Sequence, residues 1–364
     1  MIYYCNKCKK YWKDPVGKCI FCGSELIEVK SSIYKIIGST TVHIPSKLNE
    51  KVPYFVYLLE DENGEKIIRK SHQEYELGAK VDFNSGHRIS RSVGIVGTGL
   101  MGSQIAEYLL RYGNNVVIKT RDANRVEDVF LKIKRKISKS LKEEETLRSL
   151  GNLLITTKYS DLSSCDIIIE ASTEELDVKL EIFKELSDNC GGKTIFATNT
   201  SSISIDELSK VLKNPENCIG MHFFNPIDRM DLIEVIIGKE TSEETKRKIV
   251  EFSKDLDKNP IIVYNSPGFI VNRLLLPQIN EAILLLEEGV AAKEDIDAAV
   301  KLGLNHPMGP FQLADFIGLD ICLSILEVLG KELSAERIKP ANMLYQLVND
   351  GKLGYKSKEG FYKY

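Results

Sequence analysis

Along the middle of the chain, short apolar runs alternate with longer stretches in which apolar residues recur at helical spacing. Val93-Gly94-Ile95-Val96, Val116-Val117-Ile118, Cys165–Ala171, Lys193–Thr198, Cys218–Phe224 and Leu232–Ile237 are continuous enough to predict buried strands. Between the first two, Ile105, Leu109 and Tyr112 mark one face of a helix that Gly113-Asn114-Asn115 stops. Asn124–Leu150 reads as one long, Lys-rich helical stretch, and a further helix after Cys165–Ala171 holds Glu174 and Lys179. Toward the C-terminus the strand pattern ceases. Gly268–Leu286, Lys293–Leu302, Phe311–Leu329 and Asn342–Asp350 read as helices, the first apolar enough to pack on two sides. Before residue 84 the pattern is different again, with short strands at Ser39–Ile44, Tyr54–Glu60 and Lys66–Arg69 and a turn at Asp61-Glu62-Asn63-Gly64. The polar stretch Asn84–Arg91 reads as a linker.

Strands alternating with helices, then helices alone, predict an α/β fold with a doubly wound sheet and an all-α C-terminal domain. The expected division is 1–30, 31–86, 92–266 and 267–364. A length of 364 residues accommodates such a division. An apolar content of 43% with 28% charged residues describes a globular chain, and a net charge of −3 gives no global field for nucleic acid. No apolar run approaches the ~18 residues of a membrane span, and MIYYCNKCKK lacks the apolar core of a signal peptide. Four of the eight cysteines are scattered, which suits a reducing cytoplasm better than a disulfide framework.

The segment SVGIVGTGLMGSQIAEYLLRYGNNVVIKTRD, Ser92–Asp122, runs strand, glycine turn, helix, strand. That is the context a dinucleotide fingerprint requires, and it predicts a Rossmann-type sheet. Gly97 permits the turn, Gly99 leaves room for a pyrophosphate, and Gly102 lets helix and strand pack closely. Thr98, Leu100 and Met101 complete the cradle at the helix N-terminus. An acidic residue about 20 positions on takes the ribose 2′-hydroxyl in the NAD pattern. Here Thr120 and Arg121 stand at that place, and a hydroxyl beside a guanidinium suits a 2′-phosphate, so NADP(H) is favoured over NAD(H). The alternative is that Asp122 takes the ribose.

Cys5-x2-Cys8 and Cys19-x2-Cys22 have the spacing of a four-thiolate structural site. Zinc is favoured, although the spacing also fits a rubredoxin-type iron. With the short strands that follow, the segment is expected to form a zinc ribbon and a small OB-like β-barrel. The GSTTVH stretch (Gly38–His43), the hairpin Pro53–Lys66 and LGAKVDF (Leu77–Phe83) make this part similar to zinc-ribbon/OB-fold domains associated with acyl-CoA enzymes. Tyr54, Phe55 and Tyr57 could stack on bases, but at strand spacing they read as core.

Two polar residues stand out inside apolar strands: His222 among Met221, Phe223 and Phe224, and Glu234 within Leu232–Ile237. An unpaired buried carboxylate is costly. If the strands are neighbours, Glu234 accepts from one ring nitrogen of His222 and leaves the other free as an acid/base.

From Ser92 to Tyr364 the chain resembles 3-hydroxyacyl-CoA dehydrogenases, closest to the 3-hydroxybutyryl-CoA type. The carrying stretches are GTGLMG (Gly97–Gly102), NTSS (Asn199–Ser202), GMHFFNP (Gly220–Pro226), LIEV (Leu232–Val235), PGFIVNR (Pro267–Arg273), HPMGPFQLADFIGLD (His306–Asp320) and EGFYKY (Glu359–Tyr364). The resemblance implies His222 as base with Glu234 as its partner, and Ser201 and Asn272 against the substrate. It implies that Glu174, Lys179, Ser201, Asn225 and Lys356 touch the cofactor. Among the basic residues from Lys132 to Lys142, Lys136 is taken as a contact for coenzyme A phosphate, against a solvated helix face. The expected reaction interconverts an L-3-hydroxyacyl-CoA and a 3-oxoacyl-CoA by hydride transfer, within a homodimer formed through the helical domain. A scaffold or acyl-CoA-presenting role beside a thiolase-type partner, and a dehydrogenase of a hydroxy acid without coenzyme A, are the other readings.

Overall fold

The computed structural model describes residues 2–5, 10–12, 27–29, 34–43, 54–60, 64, 66–71, 74–81, 90–333 and 338–364. The chain divides into two compact units, residues 1–88 and 89–364.

In the first unit, β1 (Ile2–Cys5) pairs antiparallel with β2 (Lys10–Trp12) and β3 (Ile27–Val29). A second sheet holds β4 (Tyr34–Val42), β5 (Tyr54–Glu60), β6 (Lys66–Ser71) and β7 (Lys80–Val81), all antiparallel, in the order β6-β5-β4-β7. β4 starts five residues before the expected Ser39, because a bulge between Ile36 and Gly38 lets Lys35 and Ile36 join the ladder opposite Glu60 and Leu59. Ile36, Tyr57 and Leu59 form its small core, so Tyr57 packs inward. The described strands make two open sheets, and the expected barrel is not closed by them. The expected zinc site rests on Cys5, Cys8, Cys19 and Cys22; the last three, and the Cys5 side chain, lie outside the described residues.

The second unit is built on an eight-stranded sheet. Its strands are β8 (Ser92–Val96), β9 (Asn115–Lys119), β10 (Leu153–Thr156), β11 (Ile167–Glu170), β12 (Ile195–Thr198), β13 (Cys218–Phe223), β14 (Leu232–Ile237) and β15 (Asn259–Tyr264). The order is β10-β9-β8-β11-β12-β13-β14-β15, parallel except where β14 runs antiparallel to β13. The first six strands follow the Rossmann order, with the reversal at β8. Both faces are covered, which is why the strands read as unbroken apolar runs. In β11, Ile167 and Ile169 face one core, where α1 (Leu100–Arg111), α2 (Val126–Ser140) and α6 (Glu243–Asp255) pack. Ile168 faces the opposite core, against α4 (Leu176–Asn189) and α5 (Ile205–Ser209).

The single helix expected over Asn124–Leu150 is two. Leu141 leaves α2 in an extended conformation, and α3 (Glu143–Gly151) restarts with the Lys142 N–H donating to Glu145 Oε2. On α2, Val129, Ile133 and Ile137 are buried while most of the basic side chains face outward.

The helical part comprises α7 (Val271–Glu287), α8 (Lys293–Gly303), α9 (Pro310–Ile317), α10 (Leu319–Leu333) and α11 (Asn342–Asn349). Here too one expected helix, Phe311–Leu329, is two: Gly318 stands between α9 and α10 at φ +107°, outside any helical conformation. The break allows Phe311 and Ala314 of α9 to share a core with Cys322 and Leu326 of α10 and Ile279 of α7. No helix among the described residues is long and apolar enough to cross a membrane.

Candidate active site

At the C-terminal end of β8, Gly97 takes φ +120°, and a Cβ there would lie 2.4 Å from the Ala171 carbonyl oxygen. A Cβ at Gly102 would lie 2.2 Å from the Gly97 carbonyl oxygen. Gly99 differs: a Cβ there would meet nothing within 4 Å. Gly99 caps α1 with no side-chain hydrogen bond, and the first turn carries no acidic residue. The orphan N–H groups of Leu100, Met101 and their neighbours therefore open onto free space, a site shaped for phosphate. Thr98 is tied in from behind, its carbonyl accepting from Ser103 Oγ at 3.1 Å.

Beyond β9, Thr120 is buried at 3% exposure, and its hydroxyl accepts from the Asp122 N–H at 3.4 Å. The Asp122 carboxylate is engaged, accepting from the Asn124 N–H at 2.9 Å as the cap of a short 3₁₀ turn. Arg121 is exposed. The neighbouring Lys119 stacks its ammonium 4.0 Å from the Tyr159 ring. Burial lowers the Lys119 pKa, and the Arg121 charge adds to that shift. Two cations thus stand at the end of this strand.

β13 and β14 set His222 directly opposite Glu234 in the antiparallel register. His222 Nδ1 and Glu234 Oε2 are 2.8 Å apart, with the residues 6% and 1% exposed. Glu234 Oε1 accepts from the N–H groups of Ile270 and Val271 at 3.1 and 3.0 Å, at the start of α7. Burial raises the Glu234 carboxyl, but the His222 hydrogen bond and these two N–H groups outweigh it and hold the pKa below its ordinary value. Phe224 and Phe269 flank the imidazole, with ring centroids 4.5 and 5.8 Å away. Nδ1 is committed, so Nε2 is the nitrogen left for proton transfer.

The loop after β12 carries Asn199-Thr200-Ser201-Ser202. Glu174 Oε1 gathers it, accepting from Thr200 Oγ1, the Ser201 and Ser202 N–H groups and both serine hydroxyls at 2.6–3.1 Å. Burial raises the Glu174 carboxyl, yet Lys179 and these donors bring it below its ordinary value. Lys179 lies beneath the loop at 1% exposure. Its ammonium donates to both oxygens of Glu170 at 2.8 Å and stands 3.4 Å from Glu174. Glu170 is fully buried and also accepts from Thr198 Oγ1 and Ser172. Asn272 Nδ2 reaches the Ser201 carbonyl at 3.5 Å, so Ser201 and Asn272 are neighbours.

Asn225 follows β13 directly, and its Oδ1 accepts from Gln104 Nε2 at 2.9 Å. Lys136 Nζ stands 3.6 Å from Glu107 Oε2 on α1. Lys356 pairs with Asp320 at the start of α10. The structure thus gathers Ser201 with Glu174 and Asn272, and His222 with Glu234. Glu170 and the Ile270 and Val271 N–H groups join these clusters, and Gln104 holds Asn225, without having been foreseen. Glu170 had one signal, an acidic residue ending an apolar strand. Gln104 and the two backbone groups had none. Among the described cysteines, Cys165, Cys190, Cys218 and Cys322 are free thiols.

Comparison with known proteins matches residues 92–266 to the family described as 3-hydroxyacyl-CoA dehydrogenase, NAD binding domain. Residues 268–364 match the C-terminal domain of the same family. A 3-hydroxybutyryl-CoA dehydrogenase from Clostridioides difficile is 42% identical over 275 residues, covering 74% of this chain and 98% of that protein. The human mitochondrial hydroxyacyl-coenzyme A dehydrogenase is 40% identical over 295 residues, covering 76% of this chain and 92% of its own. The crystal structure of (S)-3-hydroxybutyryl-CoA dehydrogenase PaaH1 from Ralstonia eutropha superimposes with a TM-score of 0.72 at 44% identity, covering 76% of this chain and 99% of that one.

Proposed function

The chain belongs to the 3-hydroxyacyl-CoA dehydrogenase family, and from that premise we propose how its residues interconvert a 3-hydroxyacyl-CoA and a 3-oxoacyl-CoA. His222 is the base. Its Nε2 takes the proton of the substrate hydroxyl, and in the reverse direction returns it. A nicotinamide cofactor held at Gly97–Gly102 would supply the acceptor for the hydride that leaves C3. Glu234 does not take the proton in the reaction. Held ionised by His222 and two N–H groups, it fixes the ring tautomer and stabilises the imidazolium that forms. This buried dyad carries the reading, because an open nitrogen on a carboxylate-paired imidazole is what hydroxyl oxidation needs.

Ser201 and Asn272 hold the reacting oxygen and the thioester carbonyl, where charge shifts during the reaction. The Ser201 hydroxyl can be spared, since it is one of five donors crowded on a single oxygen of Glu174. Glu174 shapes this loop, with Lys179 and Glu170 behind it. Gly97–Gly102 receives the pyrophosphate, and Asn225 and Lys356 meet the cofactor further along. Thr120 and Arg121 favour NADP(H) over NAD(H), because a hydroxyl and an exposed guanidinium stand where the NAD pattern has an acidic residue and can both donate to a 2′-phosphate. Lys136 meets coenzyme A phosphate. A short acyl chain is the preferred substrate, in keeping with the names of the bacterial relatives. The helical domain makes a homodimer, and exposed leucines such as Leu274, Leu302 and Leu304, 70%, 87% and 58% exposed, leave it apolar surface to bury there.

The test is acetoacetyl-CoA reduction with NADPH and NADH side by side. The expected kcat/KM is at least about tenfold higher with NADPH, the worth of one charge-assisted hydrogen bond. A preference for NADH leaves the activity standing and overturns the reading of Thr120 and Arg121. Turnover with neither overturns the substrate assignment.

A further inference from the structure

Gln104 lies on α1, five residues past the capping Gly99, and bridges to the segment that follows β13. Its Oε1 accepts from the Ile227 N–H at 3.2 Å, while its Nε2 donates to Asn225 Oδ1 at 2.9 Å. A backbone N–H can only donate, so this contact fixes which end of the Gln104 amide is which. The end facing Asn225 must then be the NH2 group. That in turn obliges Asn225 to present its oxygen to Gln104 and leaves its own NH2 unspent. One backbone hydrogen thus sets the orientation of two side-chain amides in series. The same clamp ties the helix that opens on the glycine turn to the chain three residues beyond His222. On the other side of that strand, the Phe223 N–H donates to Asn199 Oδ1 at 2.9 Å.

We propose that Gln104 is a positioning residue for the dehydrogenase reaction, which orients the Asn225 amide so that its NH2 group is the one offered to the nicotinamide cofactor. The inference rests on the reading that Asn225 meets the cofactor. Gln104→Glu is the informative change. A carboxylate still accepts from the Ile227 N–H but can only accept from Asn225, so Asn225 must turn its amide over and spend its NH2 group on Glu. Both hydrogen bonds of the clamp survive, and only the face shown to the cofactor changes. Gln104→Met carries no charge and releases Asn225 altogether. It separates orientation from repulsion between a carboxylate and the cofactor phosphates.

The experiment titrates the full-length protein with reduced cofactor by fluorescence, alongside kcat, KM and thermal melting, for the parent, Gln104→Glu, Gln104→Met and Asn225→Ala. Asn225→Ala and Gln104→Glu are each expected to weaken cofactor binding by about tenfold, the worth of one hydrogen bond. Gln104→Met weakens it severalfold, and Gln104→Glu melts at the parental temperature. Parental affinity in Gln104→Met, or in Gln104→Glu, with Asn225→Ala impaired, overturns the role of Gln104 alone. Parental affinity in Asn225→Ala overturns the reading of Asn225 and this inference with it.

Discussion

Burying an ionised carboxylate is among the costlier things a fold can do, and Glu234 shows the conditions under which it is done. The side chain accepts from an imidazole and from two N–H groups at a helix start, where the helix dipole also favours negative charge. Because its carboxyl is held below its ordinary range, these contacts contribute stability in full above that range. The contribution is lost as the pH falls through the lowered one. At neutral pH Glu234 therefore stays charged, and in the proposed mechanism the proton transfer falls to His222. His222→Gln is expected to lower kcat by about 10³-fold, within the usual worth of a general base, with cofactor affinity within about twofold of the parent. Glu234→Gln keeps a partner for the ring but loses the charge that stabilises the imidazolium, so kcat falls by about 10²-fold. Steady-state kinetics with a cofactor titration checks both, and undiminished turnover in His222→Gln would sink the mechanism.

The elements act here through their ends. The start of α1 is the proposed phosphate site, the start of α7 supplies Glu234 with donors, and the ends of β11 and β12 carry Glu170 and the Asn199–Ser202 loop. Strand register matters equally. His222 faces Glu234 because they are direct cross-strand partners, and a slip of one residue would send the two side chains to opposite faces. The glycine turn separates structural from functional need. Gly97→Ala places a Cβ against the Ala171 carbonyl at positive φ and should cost about 2 kcal/mol or more of stability. Gly99→Ser adds a favourable helix cap in open space, so melting should shift by no more than about 2 °C. On the proposed course of the pyrophosphate the new side chain stands in its way, and cofactor affinity should fall by about 100-fold, roughly two lost phosphate hydrogen bonds. Thermal melting paired with cofactor titration reads both outcomes, and unchanged affinity in Gly99→Ser would place the phosphates elsewhere.

The whole chain is two compact units, and every side chain assigned to the chemistry belongs to the second. The family matches lie wholly within that unit as well. Residues 89–364 alone should therefore retain kcat within about twofold of the full chain, as expected of a unit with its own cores. A larger loss on removing residues 1–88 would show that the first unit takes part in the reaction.

Much of the site was legible without coordinates, because burial leaves a mark on each residue singly. His222 and Glu234 stood out as polar residues inside apolar strands, and Gly97, Gly99 and Gly102 stood out by their spacing after a strand. Periodicity likewise placed most of the sheet, since a strand buried on both faces has no polar side to show. It failed at Leu141 and Gly318, where helical spacing continues across a break and only a backbone conformation marks the boundary. What the tertiary structure alone decided is which residues meet. Gln104 and Asn225 are 121 positions apart, and Lys179 reaches Glu170 only once α4 has packed on the sheet. Composition and spacing report what each residue needs from its surroundings. The partner that supplies it is settled by the path of the chain, and no local pattern carries that information.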